Sequence, residues 1–369
     1  MRTGLGPAAA TIAACACACV VLLAGCTSTP EPQRPAPAKN GDTAPLAARA
    51  GALPVPHGKG SRVPADFNGD SHRDLVLNDL VKAPGDSHGD DAGIGVVYGT
   101  AGPRTLDPSV RRLLTPRVNA APVGGTLPAA FDAEAACDLD KDGFSDLIVA
   151  TDPPYDGIGR PPVPLQILFG SPAGLAGKAV VLRIPEQARY GNEWPDHPVC
   201  GDFDGDGATD LAVTASAGRV SFLRGPFTRT GAPRAATAPV QGGGPALSAP
   251  SPRPDVNDDG YDDLVVSARA PEPGAAAKGK LLLGGPQGPG RAGGRYGFTA
   301  VSVPPSPALP AGETSPVTDV LQYADFDGDK RPDILTRTHR GERADVVALY
   351  PASARTTALL TFSTSVFLH

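Results

Sequence analysis

No apolar stripe at helical spacing persists anywhere beyond the N-terminus, which excludes a helical bundle and a coiled coil. A long basic run is also missing. With 33 Lys plus Arg against 39 Asp plus Glu and a net charge of -6, a nucleic-acid surface has no electrostatic footing. After residue 26 no stretch is apolar enough to cross a bilayer. What the chain has in excess is turn residues: 45 Gly and 42 Pro make up about a quarter of its 369 positions, close to the level of disordered chains. Disorder of the whole is excluded, because 41% of the residues are hydrophobic and the net charge is small. Short elements joined by many turns favour β structure over long helices.

The N-terminus reads as an export signal. Arg2 precedes an apolar stretch from about Ala8 to Ala24, short for a membrane span and suited to a signal peptide. It ends in Leu23-Ala24-Gly25-Cys26, which resembles the lipobox of bacterial lipoproteins, and the resemblance implies cleavage after residue 25 and lipidation of Cys26. Residues 26–59 are rich in Pro and Ala without apolar periodicity and read as a disordered tether. The folded body is expected over residues 60–369.

That body repeats one loop five times. Aspartate or asparagine occupies positions 1, 3, 5 and 9 of each copy: Asp66, Asn68, Asp70, Asp74; then Asp138, Asp140, Asp142, Asp146; then Asp202, Asp204, Asp206, Asp210; then Asp255, Asn257, Asp259, Asp263; and last Asp325, Asp327, Asp329, Asp333. Short oxygen-bearing side chains at alternate positions of a tight loop converge on one point, and the ninth position closes the shell. This is the chemistry of a calcium site, so up to five structural Ca²⁺ ions are expected, with a position-7 carbonyl as a further ligand. Mg²⁺ suits it less, because it demands a smaller and stricter octahedron. An EF-hand is excluded: position 12 is Leu77, Val149, Val213, Val266 or Thr336 instead of Glu, and short β runs follow position 9. Position 6 is Gly143, Gly207 and Gly260 in three loops but Ser71 and Lys330 in the first and fifth, so those two are expected to bind more weakly.

Between loops a second apolar element recurs, as in Gly95-Val96-Val97-Tyr98-Gly99 and Gln166-Ile167-Leu168-Phe169-Gly170. Loop starts are spaced 72, 64, 53 and 70 residues apart, room for about four short strands each, or one propeller blade. These residues resemble the FG-GAP (VCBS-type) repeat, the unit of the β-propeller at the N-terminus of integrin α chains. The resemblance implies an all-β β-propeller of four-stranded blades with calcium-binding loops, about five blades here against seven in integrins. The Phe-Gly pair that precedes the family's loop is absent.

Two cysteines of the body remain, Cys137 and Cys200, one and two residues before their loops. That one-residue offset places them on opposite faces of equivalent strands, so two small buried residues are favoured over a disulfide. No catalytic set stands out. Gly170-Ser171-Pro172-Ala173-Gly174 carries its Ser in the wrong place for a nucleophile elbow, and Gly274 to Leu281 departs from a P-loop at its last residue. The six histidines lack metal-ligand spacing, and Trp194, the one tryptophan, is read as a packing aromatic. The expected function is therefore a lipid-anchored, calcium-stabilised binding or adhesion module for a protein or glycan on the outer face of the cell membrane. The alternative is an exported polysaccharide hydrolase or lyase on the same scaffold.

Overall fold

The computed structural model describes residues 52–368 apart from 83–91, 103–104, 192–193, 308, 310–314 and 342. Cys26, the signal sequence and most of the tether lie outside the described residues, as does His88. The chain folds into five antiparallel sheets in sequence order, arranged as a β-propeller and almost free of helix. Blade 1 comprises β1 (Leu75–Leu77), β2 (Ile94–Gly99) and β3 (Leu106–Leu114). Blade 2 comprises β4 (Phe131–Cys137), β5 (Asp146–Thr151), β6 (Leu165–Leu168) and β7 (Val180–Val181). Blade 3 runs β8 (Val199–Gly201), β9 (Asp210–Ala215) and β10 (Arg219–Arg224), and its fourth strand is split into β11 (Ala235–Ala236) and β12 (Val240–Gln241). Blade 4 holds β13 (Ala246–Ser248), β14 (Leu264–Ser267), β15 (Ala277–Leu283) and β16 (Arg291–Phe298). Blade 5 holds β17 (Val317–Ala324), β18 (Asp333–His339), β19 (Val346–Tyr350) and β20 (Leu360–Ser363).

Blade 1 lacks a laddered first strand. Its place is taken by a turn at residues 63–65, tied by Asp74 N–H donating to Ala65 O at 2.9 Å. Residues 52–59, which composition assigned to the tether, pack onto the first loop: Gly58 N–H and Lys59 N–H donate to the carbonyls of Asn68 and Gly69.

Alternation along the strands builds the cores between blades. Residues of a blade point to opposite faces in turn, so each blade offers one apolar face to each neighbour. Phe67, Ile94 and Val96 of blade 1 meet Phe131, Leu147 and Val149 of blade 2. Ile148 and Ile167 of blade 2 meet Leu211, Val213 and Leu223 of blade 3. Phe203 and Phe222 of blade 3 meet Leu247, Leu264 and Leu282 of blade 4, with the two rings edge to face. The ring closes through Leu75, Leu77 and Val97 of blade 1 against Leu335, Val347 and Phe362 of blade 5. The seam between blades 4 and 5 is different. There Val320, Ile334, Ala348 and Tyr350 of blade 5 are covered by Val301 of the connecting segment, and a cavity of about 1530 Å³ opens beside them.

The same alternation corrects the expectation for the cysteines. Cys137 and Cys200 form a disulfide, with Cα atoms 6.4 Å apart. Cys137 looks from blade 2 towards blade 3, and Cys200 looks from blade 3 back towards blade 2, both against the cluster around Leu139 and Leu211. Two blades packed face to face must present opposite faces to each other. The one-residue offset therefore brings the sulfurs together, where for two strands side by side in one sheet it would keep them apart.

Candidate metal centres

Four of the five loops join the first and second laddered strands of their blades, and the first leads from the turn at residues 63–65 into β1. Each loop is shaped by the same hydrogen bonds. The position-1 carboxylate accepts from the position-6 N–H in all five copies, at 2.7 Å in Asp66 and 2.9 Å in Asp138, Asp202, Asp255 and Asp325. The position-5 carboxylate accepts from the position-7 N–H, between 2.8 Å in Asp329 and 3.2 Å in Asp259.

Position 9 has a second task that the motif does not announce. Asp74, Asp146, Asp210, Asp263 and Asp333 are all buried to at least 99%. One oxygen accepts from the position-2 N–H, and the other accepts from an N–H at the end of the third strand: Gly99, Gly170, Gly225, Gly284 or Ala352. This carboxylate clamps loop to strand, whatever else it binds. The four glycines answer to the same contact, since a Cβ there would fall 2.0–2.6 Å from the position-8 carbonyl of the loop.

Backbone conformation modifies the expected ranking of the loops. Position 6 takes the left-handed region throughout, at Gly143, Gly207 and Gly260 but also at Ser71 and Lys330. Position 4 does so as well, at Gly69, Gly205 and Gly328 and at Lys141 and Asp258. Each loop but the third thus carries one non-glycine residue in a conformation that costs a β-carbon-bearing residue about 1 kcal/mol or more. The strain expected of loops 1 and 5 alone is shared by loops 2 and 4.

The oxygens converge unequally. Carboxylate atoms lie within 4.8 Å of one another in loop 2 (Asp138, Asp140, Asp146), loop 3 (Asp202, Asp204, Asp206) and loop 5 (Asp325, Asp327, Asp333), so these clusters could hold metal ions. Loops 1 and 4 carry Asn68 and Asn257 at position 3, and there the amide Nδ2 donates to Asp70 and Asp259. Loop 4 is also the least anchored: Val256 at position 2 is exposed where Phe67, Leu139, Phe203 and Phe326 are buried. The fit to a cation is tested by buried oxygens left without a donor. Among the described residues these include Asn68 Oδ1, Asp140 Oδ1, Asp202 Oδ1 and Asp204 Oδ1, all at positions 1 or 3 of loops 1 to 3. Oxygen atoms so placed fit a hard divalent ion.

Electrostatics agree with that fit. Burial, opposed by the backbone N–H of Gly170 and reinforced by Asp140 and Asp138, pushes Asp146 up to about 8. Asp210 rises to about 7 for the same first cause, and Asp140 to about 6 through burial and the charge of Asp142. Arginines at the end of β10 and in the connection that follows it supply part of the missing positive charge. Arg229 lies 2.6 Å from Asp140 and also pairs with Asp142, Arg224 lies 3.3 Å from Asp204, and Arg234 pairs with Asp206.

At the opposite ends of blades 2 and 3, the β5–β6 loop meets the segment leading into β8. Trp194 stands edge to face with Tyr155, ring centres 6.1 Å apart. Around the pair, Ile158 is 79% exposed and Tyr190 is 45% exposed, the latter with the Arg219 guanidinium 4.3 Å over its ring. The Gly274–Leu281 stretch enters β15, a strand, where a phosphate loop would enter a helix.

No family model and no curated protein matches the chain. Among solved structures it is similar to one described as the crystal structure of BBS1N in complex with ARL6DN, soaked with lead, at 13% identity. That alignment covers 84% of this chain and 83% of the other with a TM-score of 0.30, a likeness too loose to carry residue roles.

Proposed function

We propose that the chain is an exported, lipid-anchored binding module related to FG-GAP propellers, with structural calcium in its acidic loops and its ligand surface at the opposite end of the blades. The single observation behind the binding role is the surface formed by Tyr155, Ile158, Tyr190 and Trp194 on loops of blades 2 and 3. Two aromatic rings locked against each other lose little side-chain freedom on binding and offer flat apolar faces to a sugar ring or a protein side chain. Loops carried by a rigid scaffold are the usual place for such a surface. Export is supported by the Leu23-Ala24-Gly25-Cys26 sequence and by the Cys137–Cys200 disulfide, which persists in oxidising compartments.

Calcium is supported by the orphaned oxygens of loops 1 to 3 and by the raised carboxyls of Asp140, Asp146 and Asp210. The binding role is tested with a glycan array and a pull-down from cell-envelope material, using wild type and Trp194→Ala. Retention that depends on Trp194 is the expected result. Turnover of a polysaccharide by the purified protein would replace this reading with the enzymatic one.

A further inference from the structure

One group of metal-ligating side chains stands apart from the five loops. Glu134 of β4 meets Asp196 and His197, the two residues before Pro198 and β8, and three of their ligand atoms lie within 4.8 Å of one another. Blades 2 and 3 each contribute to the group, so the fold, and no local motif, assembles it. Glu134 sits at the bulge of β4, where the register with β5 skips from Ala133 to Ala135. A bulged residue is released from ladder pairing and its side chain is re-aimed. Asp196 is pinned to β9: its N–H donates to Thr214 Oγ1 and its carbonyl accepts from Thr214 N–H, both at 2.9 Å. Its Oδ1 accepts from His197 N–H at 2.7 Å, and its Oδ2 lies 3.9 Å from His197 Nε2.

The charge around this group is unlike that around the loops. Asp140, Asp142, Asp204 and Asp206 have arginines against them, whereas no Lys or Arg pairs with Glu134 or Asp196 among the described residues. The donor set is also different in kind. One imidazole nitrogen with two carboxylates suits Zn²⁺ and its first-row neighbours, whereas Ca²⁺ takes six to eight oxygens.

We propose that Glu134, Asp196 and His197 form a binding site for a divalent transition-metal ion, Zn²⁺ in first place. Three protein ligands leave a fourth position open to an external donor. The site lies at the same end of blades 2 and 3 as Trp194, two residues from Asp196, and so beside the proposed ligand surface. The site does not depend on the glycan or protein reading of that surface.

The test titrates Co²⁺, as a spectroscopic probe, into untagged protein saturated with Ca²⁺. One equivalent should give visible d–d absorption that Zn²⁺ abolishes by displacement. His197→Ala and Glu134→Gln should each weaken binding by about tenfold or more. Glu134 is exposed at a bulge, so Glu134→Gln should keep the wild-type melting temperature and separates ligation from folding. Absence of Co²⁺ absorption, or equal affinity in wild type and both site variants, would overturn the proposal.

Discussion

Breaking the Cys137–Cys200 bridge tests how far the propeller depends on tying blades 2 and 3 together. The bond closes a loop over a sequence separation of 63. In the chain-entropy description a loop of that size removes about 4 kcal/mol of conformational freedom from the unfolded state at 25 °C. Domain stabilities are commonly about 5 to 15 kcal/mol, so the bridge supplies a substantial share. With a urea dependence of about 2 to 3 kcal/mol per molar, reduction or a Cys137→Ala/Cys200→Ala variant should lower the unfolding midpoint by about 1.5 to 2 M. The assay is urea unfolding followed by circular dichroism with and without reductant, together with peptide mapping of a non-reduced digest. The mapping should recover the two cysteine peptides as one linked species. Free thiols at both positions, or a midpoint that reductant does not move, would refute the reasoning.

Three further outcomes are expected. Asp146→Ala leaves the N–H groups of Leu139 and Gly170 buried without acceptors, and at about 1 to 3 kcal/mol each this should cost about 2 to 6 kcal/mol in thermal unfolding; Asp146→Asn, which keeps one carbonyl oxygen, should cost less. Lys141→Gly and Lys330→Gly should each raise stability by about 1 kcal/mol, read as a higher melting temperature, because both residues sit in the left-handed region. The third concerns pH in metal-free protein. Asp140, Asp210 and Asp146 hold their protons more tightly folded than unfolded, so their contribution is complete below the ordinary value of 3.8 and is lost as pH rises through about 6, 7 and 8 respectively. Chelated protein should therefore lose stability from pH 4 to pH 8 in a melting series, and saturating Ca²⁺ should flatten that slope.

The blades were legible in the sequence because two signals coincide in each: the acidic loop and the apolar triplet after it, Leu75-Val76-Leu77 or Leu147-Ile148-Val149. Alternation then says that such triplets bury both faces between neighbouring blades. Other features were hidden because they arise from packing between distant segments. The Asp146 clamp to Gly170 spans 24 residues, and its only trace is a glycine closing the second apolar element. The left-handed position 4 was masked because Lys141 and Asp258 occupy it where Gly69, Gly205 and Gly328 would have marked it. The disulfide was misjudged by treating equivalent strands of two blades as neighbours in one sheet. The Glu134, Asp196 and His197 group had no signal beyond the Asp-His pair, since its third member comes from another blade.

The most direct measurement is thermal unfolding of the purified chain in a strong chelator and again with millimolar Ca²⁺, alongside calorimetric counting of bound ions. If the orphaned oxygens of loops 1 to 3 and the converging carboxylates of loops 2, 3 and 5 are calcium sites, the ion should raise the melting temperature steeply. At tenfold excess over Kd each filled site adds about 1.4 kcal/mol, so three or more sites add about 4 kcal/mol or more. Asp140→Asn and Asp204→Asn should each remove about one bound ion. An unchanged melting curve with no heat of Ca²⁺ binding would contradict the assignment and leave the loops as turns closed by their own hydrogen bonds and by Arg224, Arg229 and Arg234.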